Sequence, residues 1–161
     1  MDKKKLPKIF RDPVHGFIQV DRSIPLRIID SKEFQRLRRI RQLGFTSFTY
    51  PGGEHVRFAH SLGVFHFFCK VIERLKQLEF NLDDEQILVG SLAALLHDIG
   101  HGPFSHALEG ILTPKKHTDW TVDAITCEES SVNRILRDID ESLPGKVASL
   151  IQGNFENLLP A

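Results

Sequence analysis

Apolar residues recur at spacings of three and four along most of the chain, the pattern of helices that bury one face. Phe34, Leu37, Ile40 and Leu43 predict a helix from about Lys32, with Asp30 or Ser31 as its cap and Gly44 as its end. Arg36, Arg38, Arg39 and Arg41 fall on its other face. Leu62, Phe65, Cys69, Ile72 and Leu75 predict a long helix from about Phe58 to Leu78, with His60, Val64 and Phe67 near the same side. Ile87, Leu88, Ser91, Leu92, Leu95 and Leu96 predict another over roughly Asp84 to His97. Gly100 or Gly102 breaks it, and Pro103 suits the first turn of a short helix through Leu108.

Further helices are expected over Trp120 to Ile125, over Glu129 to Ile139, and over Lys146 to Ile151, the last two separated by the breaker Leu143-Pro144-Gly145. TSFTYPGGEHVRF and PKKHTD read as loops, and residues 1–8 as a tail. IFRDPVHGFIQVD, with Pro13 and Gly16 between short apolar stretches, predicts a small hairpin or an irregular arm. The expected fold is an all-α bundle, a single domain over residues 1–161 with that arm at its N-terminus. No internal repeat, linker or second domain is visible.

Charge and composition narrow the function classes. Of the 161 residues, 21 are Lys or Arg and 21 are Asp or Glu, a formal balance of zero that argues against stable nucleic-acid binding. The two cysteines, Cys69 and Cys127, make neither a disulfide framework nor a CxxC site, which favours a reducing, cytoplasmic compartment. The basic N-terminus leads into no apolar signal segment, and no run approaches the length of a spanning helix. PGG at Pro51–Gly53 lacks the ending of a phosphate-binding P-loop.

The chemistry concentrates in LAALLHDIGHGPFSHALE. His97 and Asp98 close a strongly apolar helix, where a charge is costly unless it is paired or bound to a metal. His101, His106 and Glu109 follow, the last two on one face of a short helix. Imidazoles and carboxylates together hold borderline divalent metals such as Zn, Mn, Fe, Co or Ni. Two ligands are too few, and His60 on the preceding long helix is the best third. His66 lies six positions on, about 240° around the helix, and is the weaker candidate.

HxRFxHSLG (His55, Arg57, Phe58, His60, Ser61, Leu62, Gly63) followed by HDIGHGPFSH resembles the HD-domain phosphohydrolases, and within them the deoxynucleoside triphosphate triphosphohydrolases. RDPVHGFI, RLRRIRQLG, YPGGEHVRFAHSLG and HTDWT are similar to further parts of that family, so the resemblance runs from about Arg11 to Thr121. It implies a single divalent cation, open among Mn, Fe, Ni, Zn, Co and Mg, held by His60, His97 and Asp98. It implies catalytic roles for His117, Glu109 and His101, with the Glu109 carboxylate orienting His117. It implies substrate contacts from Arg57 and His106 to phosphate and from Gln42 and Leu43 to the nucleoside sugar.

The implied reaction is hydrolysis of a phosphate ester, for a deoxynucleoside triphosphate to deoxynucleoside and triphosphate. Homo-oligomers are possible in such a family. Its fourth metal ligand is an Asp expected near or beyond the end of this sequence, because Asp138 and Asp140 lack the usual surroundings. The chain is thus expected to be an N-terminal portion of a longer enzyme. A catalytically incomplete regulatory module and an HD-type nucleotide phosphodiesterase are the competing readings.

Overall fold

The computed structural model describes residues 6–21, 23–111 and 113–154, with Ser105 as backbone only. The predicted tail lies partly outside them. Its last residue, Lys8, already belongs to strand β1 (Lys8–Asp12), which pairs antiparallel with β2 (Gly16–Val20) in the register Phe10↔Ile18. The arm is a hairpin. The Asp12 carboxylate accepts the N–H groups of Val14 and His15 at 2.8 and 2.9 Å, which folds the turn. Ile18 and Val20, two apart on one face, enter the core.

Among the described residues the rest is helical. The elements are α1 (Ile24–Ile29), α2 (Lys32–Gln35), α3 (Arg57–Gln77), α4 (Asp84–Leu96), α5 (His117–Thr126), α6 (Ser131–Arg137) and α7 (Leu143–Ile151). The all-α bundle with its hairpin arm is as expected from the sequence. α4 lies at its centre, packed on α3 and α7, with Leu92, Leu95 and Leu96 fully buried. Each such side chain contributes about 1.5–3 kcal/mol relative to an exposed one. None of the helices is long and apolar enough to cross a membrane.

Several boundaries differ from the sequence pattern. Ser31 caps α2, its hydroxyl accepting from Phe34 N at 3.3 Å, but the helix does not run on to Leu43. After one turn it tightens to a 3₁₀ turn over Arg36–Arg39, and Ile40 is extended. Tertiary bonds take the chain instead. Arg57 N donates to Ile40 O at 2.9 Å and Gln42 N to His55 O at 3.0 Å, so this segment runs beside the approach to α3. Gly44 does mark a change of direction, at φ +55, where a Cβ would stand 3.3 Å from the Phe104 carbonyl oxygen.

The segment after Pro103 is a 3₁₀ turn, Ser105–Leu108, not an α-helix. PKKHTD is only half loop, because α5 begins at His117. Leu143-Pro144-Gly145 is not a break but the first turn of α7, where the missing proline N–H has no partner to lose. α1 escaped the pattern because six residues span under two turns. Its Leu26, Ile28 and Ile29 are nonetheless buried.

Candidate metal centre

α3 and α4 bring three potential ligands together. Val56 precedes α3 in extended conformation, which places His60 in the helix's first turn. His97 and Asp98 sit where α4 ends. His60 Nε2 lies 3.2 Å from His97 Nε2 and 3.6 Å from Asp98 Oδ2, and His97 Nε2 lies 3.4 Å from Asp98 Oδ1. A cation bonded at about 2.0–2.2 Å holds neighbouring donors roughly 3–3.6 Å apart, so the set fits one ion without rearrangement. His97 Nδ1 is 3.0 Å from the Ala94 carbonyl, which can only accept. That bond puts the His97 proton on Nδ1 and leaves Nε2 as a bare lone pair aimed at the other two donors.

Charges around the set favour the same use. Burial lowers the His60 pKa, with Asp98 opposing and His97 and Arg57 adding to the effect, so the imidazole stays in its neutral, ligating form. Burial alone would raise the Asp98 pKa, but His97, Arg57, His101 and His60 outweigh it and hold the carboxyl ionised. Arg57, expected to reach a substrate phosphate, is only 2% exposed, and its Nη1 donates to Asp98 Oδ2 at 2.5 Å. From there it adds positive charge to the centre through the carboxylate.

A second cluster adjoins the first. His117 Nδ1 donates to Glu109 Oε1 at 2.6 Å, and the same oxygen accepts the His117 backbone N–H at 2.9 Å. His106 Nδ1 donates to Glu109 Oε2 at 2.9 Å. The His106 hydrogen bond, followed by those from His117, pulls the Glu109 pKa down to about 2. His101 joins the clusters, with Nε2 3.5 Å from Asp98 Oδ1 and its ring stacked on His117 at 4.0 Å and 9°. Both groups have metal-like donor spacing. An imidazole lone pair lies in its ring plane, however, so the parallel His101 and His117 rings do not converge on one ion.

A cavity of about 600 Å³ opens beside the Glu109–His117 pair, between Arg36, Gly100, Leu108 and Trp120. The three candidate ligands are not part of its wall. Gln42 is half-buried and Leu43 is 45% exposed on the segment that receives Arg57 N. His66 faces away from the centre and meets His15 of the hairpin edge-on at 5.8 Å. Asp138 pairs with Arg27, and Asp140 with Ser142.

One residue of the site carried no sequence signal. Arg36 reads as part of a solvated arginine face, yet its guanidinium donates to Ile99 O at 2.5 Å and His101 O at 2.7 Å, pinning the backbone between the two clusters. Nothing local separates it from Arg38 or Arg39.

A pH dependence of stability follows from His101. Burial first, then the Arg57 charge, takes its pKa from 6.5 to about 3. Between those values the unfolded chain binds a proton that the folded chain refuses, so stability falls as pH drops below 6.5. Thermal melts are expected to show a lower midpoint at about pH 5 than at about pH 7. His101→Asn reduces that difference, and an unchanged difference in the variant refutes the assignment.

Comparison with known proteins agrees with this geometry. The HD domain family matches residues 57–158. The uncharacterised protein YwfO of Bacillus subtilis is 40% identical over 150 residues, 93% of this chain and 34% of its own. The deoxynucleoside triphosphate triphosphohydrolase SAMHD1 of Gallus gallus is 44% identical over 125 residues, 75% of this chain and 20% of its own. A crystal structure of a phosphohydrolase from Bacteroides thetaiotaomicron superposes with a TM-score of 0.80 at 32% identity, covering 93% of this chain and 36% of that one. The chain thus spans about a third or less of the length of these relatives. Its match to the HD domain and its likeness to proteins of this kind establish that the chain belongs to the HD-domain phosphohydrolase family, with homology to the SAMHD1-like triphosphohydrolases.

Proposed function

We propose that the protein hydrolyses deoxynucleoside triphosphates to the deoxynucleoside and triphosphate. The observation that carries this is the juxtaposition of a three-donor metal set with a carboxylate-oriented histidine, His117, across the stacked ring of His101. The likeness to SAMHD1 of several vertebrates supports a deoxynucleoside triphosphate as the substrate among phosphate esters.

His60, His97 and Asp98 would hold the divalent cation, which would supply charge to a phosphoryl oxygen and acidity to water. In the reaction a bond forms between water oxygen and the α-phosphorus while the bond from that phosphorus to the 5′ oxygen breaks. His117 gives the leaving 5′ oxygen its proton, and the proton that the attacking water releases goes to solvent, from which His117 is reprotonated. Its Nδ1 is committed to Glu109, so Nε2 is the nitrogen free to do this. Glu109, ionised down to about pH 2, fixes the ring through Nδ1. His106, bonded to the other Glu109 oxygen, lines the phosphate side together with His101. Arg57 supports the charge of Asp98, and Gln42 and Leu43 meet the sugar. The free thiols of Cys69 and Cys127 suit a reducing cytoplasm.

The test is release of inorganic triphosphate from each of the four dNTPs, before and after dialysis against a chelator. Triphosphate release that is lost with the metal and restored by Mn²⁺ is the expected result. Release of orthophosphate or pyrophosphate instead, or a rate indifferent to the chelator, overturns the proposal.

A further inference from the structure

The two clusters sit on different elements, and something must set the distance between them. His97 and Asp98 end α4, whereas His117 opens α5, with the Ile99–Lys116 segment between. Besides the His101–His117 stack, a hydrogen-bonded contact between them is made by Thr121, one turn after His117 and fully buried at 0% exposure. Its hydroxyl accepts from Gly100 N at 3.0 Å and donates to His97 O at 3.2 Å. One side chain thereby satisfies the carbonyl of a candidate ligand and an amide two residues after Asp98. The first turn of α5 lies flat on this backbone, so close that a Cβ on Gly100 would stand 2.2 Å from Thr121 N and 2.4 Å from His117 O.

We propose that Thr121 is a positioning residue that locks the first turn of α5 onto the His97–Gly100 backbone and so sets the place of His117 relative to the His60–His97–Asp98 centre. A space-filling role for this side chain would need only its volume, and valine has that volume. The observed role needs a hydroxyl, because both an acceptor and a donor are used. Without it, Gly100 N and His97 O lose this partner in a part-buried contact, and α5 must shift to admit water or other bonds. The parallel stack of His101 on His117 is the register that such a shift would lose. Proton delivery from a displaced His117 then suffers while the ligands of the cation, held by α3 and α4, stay in place.

The kinetic consequence rests on the hydrolase reading, and the magnetic one does not. The experiment compares wild type, Thr121→Val and Thr121→Ser in three measurements: Co²⁺ affinity, kcat and KM with the dNTP that wild type cleaves, and broadening of the His117 ring NMR signal by Mn²⁺ bound at the centre. Thr121→Val is expected to lower kcat by about 10- to 100-fold with KM little changed, as a misplacement near 1 Å does. The limb of the pH–rate profile that His117 governs shifts with it. Co²⁺ affinity stays near wild type, and the Mn²⁺ broadening of the His117 signal changes. Thr121→Ser, which keeps the hydroxyl, restores all three.

A Thr121→Val protein with wild-type kcat and wild-type broadening overturns the proposal, as does a Thr121→Ser protein as impaired as Thr121→Val. A fall of about 10- to 100-fold in Co²⁺ affinity also overturns it, because that marks a support for the ligands rather than for His117. If Thr121→Val does not fold, Thr121→Ala removes the hydroxyl without adding bulk and is judged by the same readouts. If wild type cleaves no dNTP, the proposed function fails, and the Mn²⁺ broadening still decides the role of Thr121.

Discussion

Asp98→Asn is expected to abolish binding of a divalent cation and the proposed turnover. Asparagine has the shape of aspartate but no charge, and half of its polar head is an NH₂ that cannot ligate. The remaining candidate ligands are then the imidazoles of His60 and His97 with one amide oxygen, a set without negative charge and a poor one for a dication. Affinity is expected to fall at least about 100-fold, the upper end of what losing a group that merely supports a ligand costs. The change reaches the fold as well. Arg57 is 2% exposed, and Asp98 is the carboxylate placed against it at 2.5 Å. Removing one partner of such a pair costs about 3–5 kcal/mol, much of a stability of about 5–15 kcal/mol. The double variant Arg57→Met/Asp98→Asn separates the two effects. It recovers melting temperature and recovers neither metal nor turnover, as metal analysis and the dNTP assay will register. Wild-type metal content in Asp98→Asn refutes the ligand set.

His60, His97 and Asp98 were legible because their chemistry is compressed into short motifs. A histidine and a carboxylate ending an otherwise apolar helix contradict the helix's own burial, and that contradiction is visible without coordinates. The spans of α3 and α4 were legible for the same reason, since long periodic segments bury one consistent face. Legibility fails where a bond from elsewhere in the chain decides the local conformation. Leu43 continues the period of Phe34, Leu37 and Ile40, yet Ile40 O takes the N–H of Arg57 and the helix stops early. Arg36 and Arg38 are indistinguishable in sequence, but one caps carbonyls beside the candidate metal ligands while the other lies over the Phe58 ring at 3.5 Å. Thr121 in HTDWT has no neighbour in sequence that hints at Gly100, 21 residues away.

Gly100→Ala is the second change expected to have a large effect, and the cause is space rather than backbone angle. An added Cβ meets Thr121 N at 2.2 Å, His117 O at 2.4 Å and Thr121 Oγ1 at 2.6 Å. Two of these three are main-chain atoms inside the first turn of α5, so relief requires the helix to move off the His97–Gly100 backbone. Overpacking of this kind costs about 1–3 kcal/mol or more. In a domain of this size that lowers the melting temperature by roughly 2–4 °C per kcal/mol. Turnover should fall more steeply than stability, because the moved helix carries His117. Two other glycines calibrate the result. At Gly102 an added Cβ meets nothing within 4 Å, and Gly102→Ala should melt like wild type. At Gly63 it meets His15 Nε2 at 2.7 Å, the far end of a side chain on the hairpin turn that can swing aside, so Gly63→Ala should cost little. Gly100→Ala paired with Thr121→Ala removes only the hydroxyl contact. Melting temperature should stay low in that pair, and its recovery would mean that the main chain of α5 is not what Gly100 makes room for.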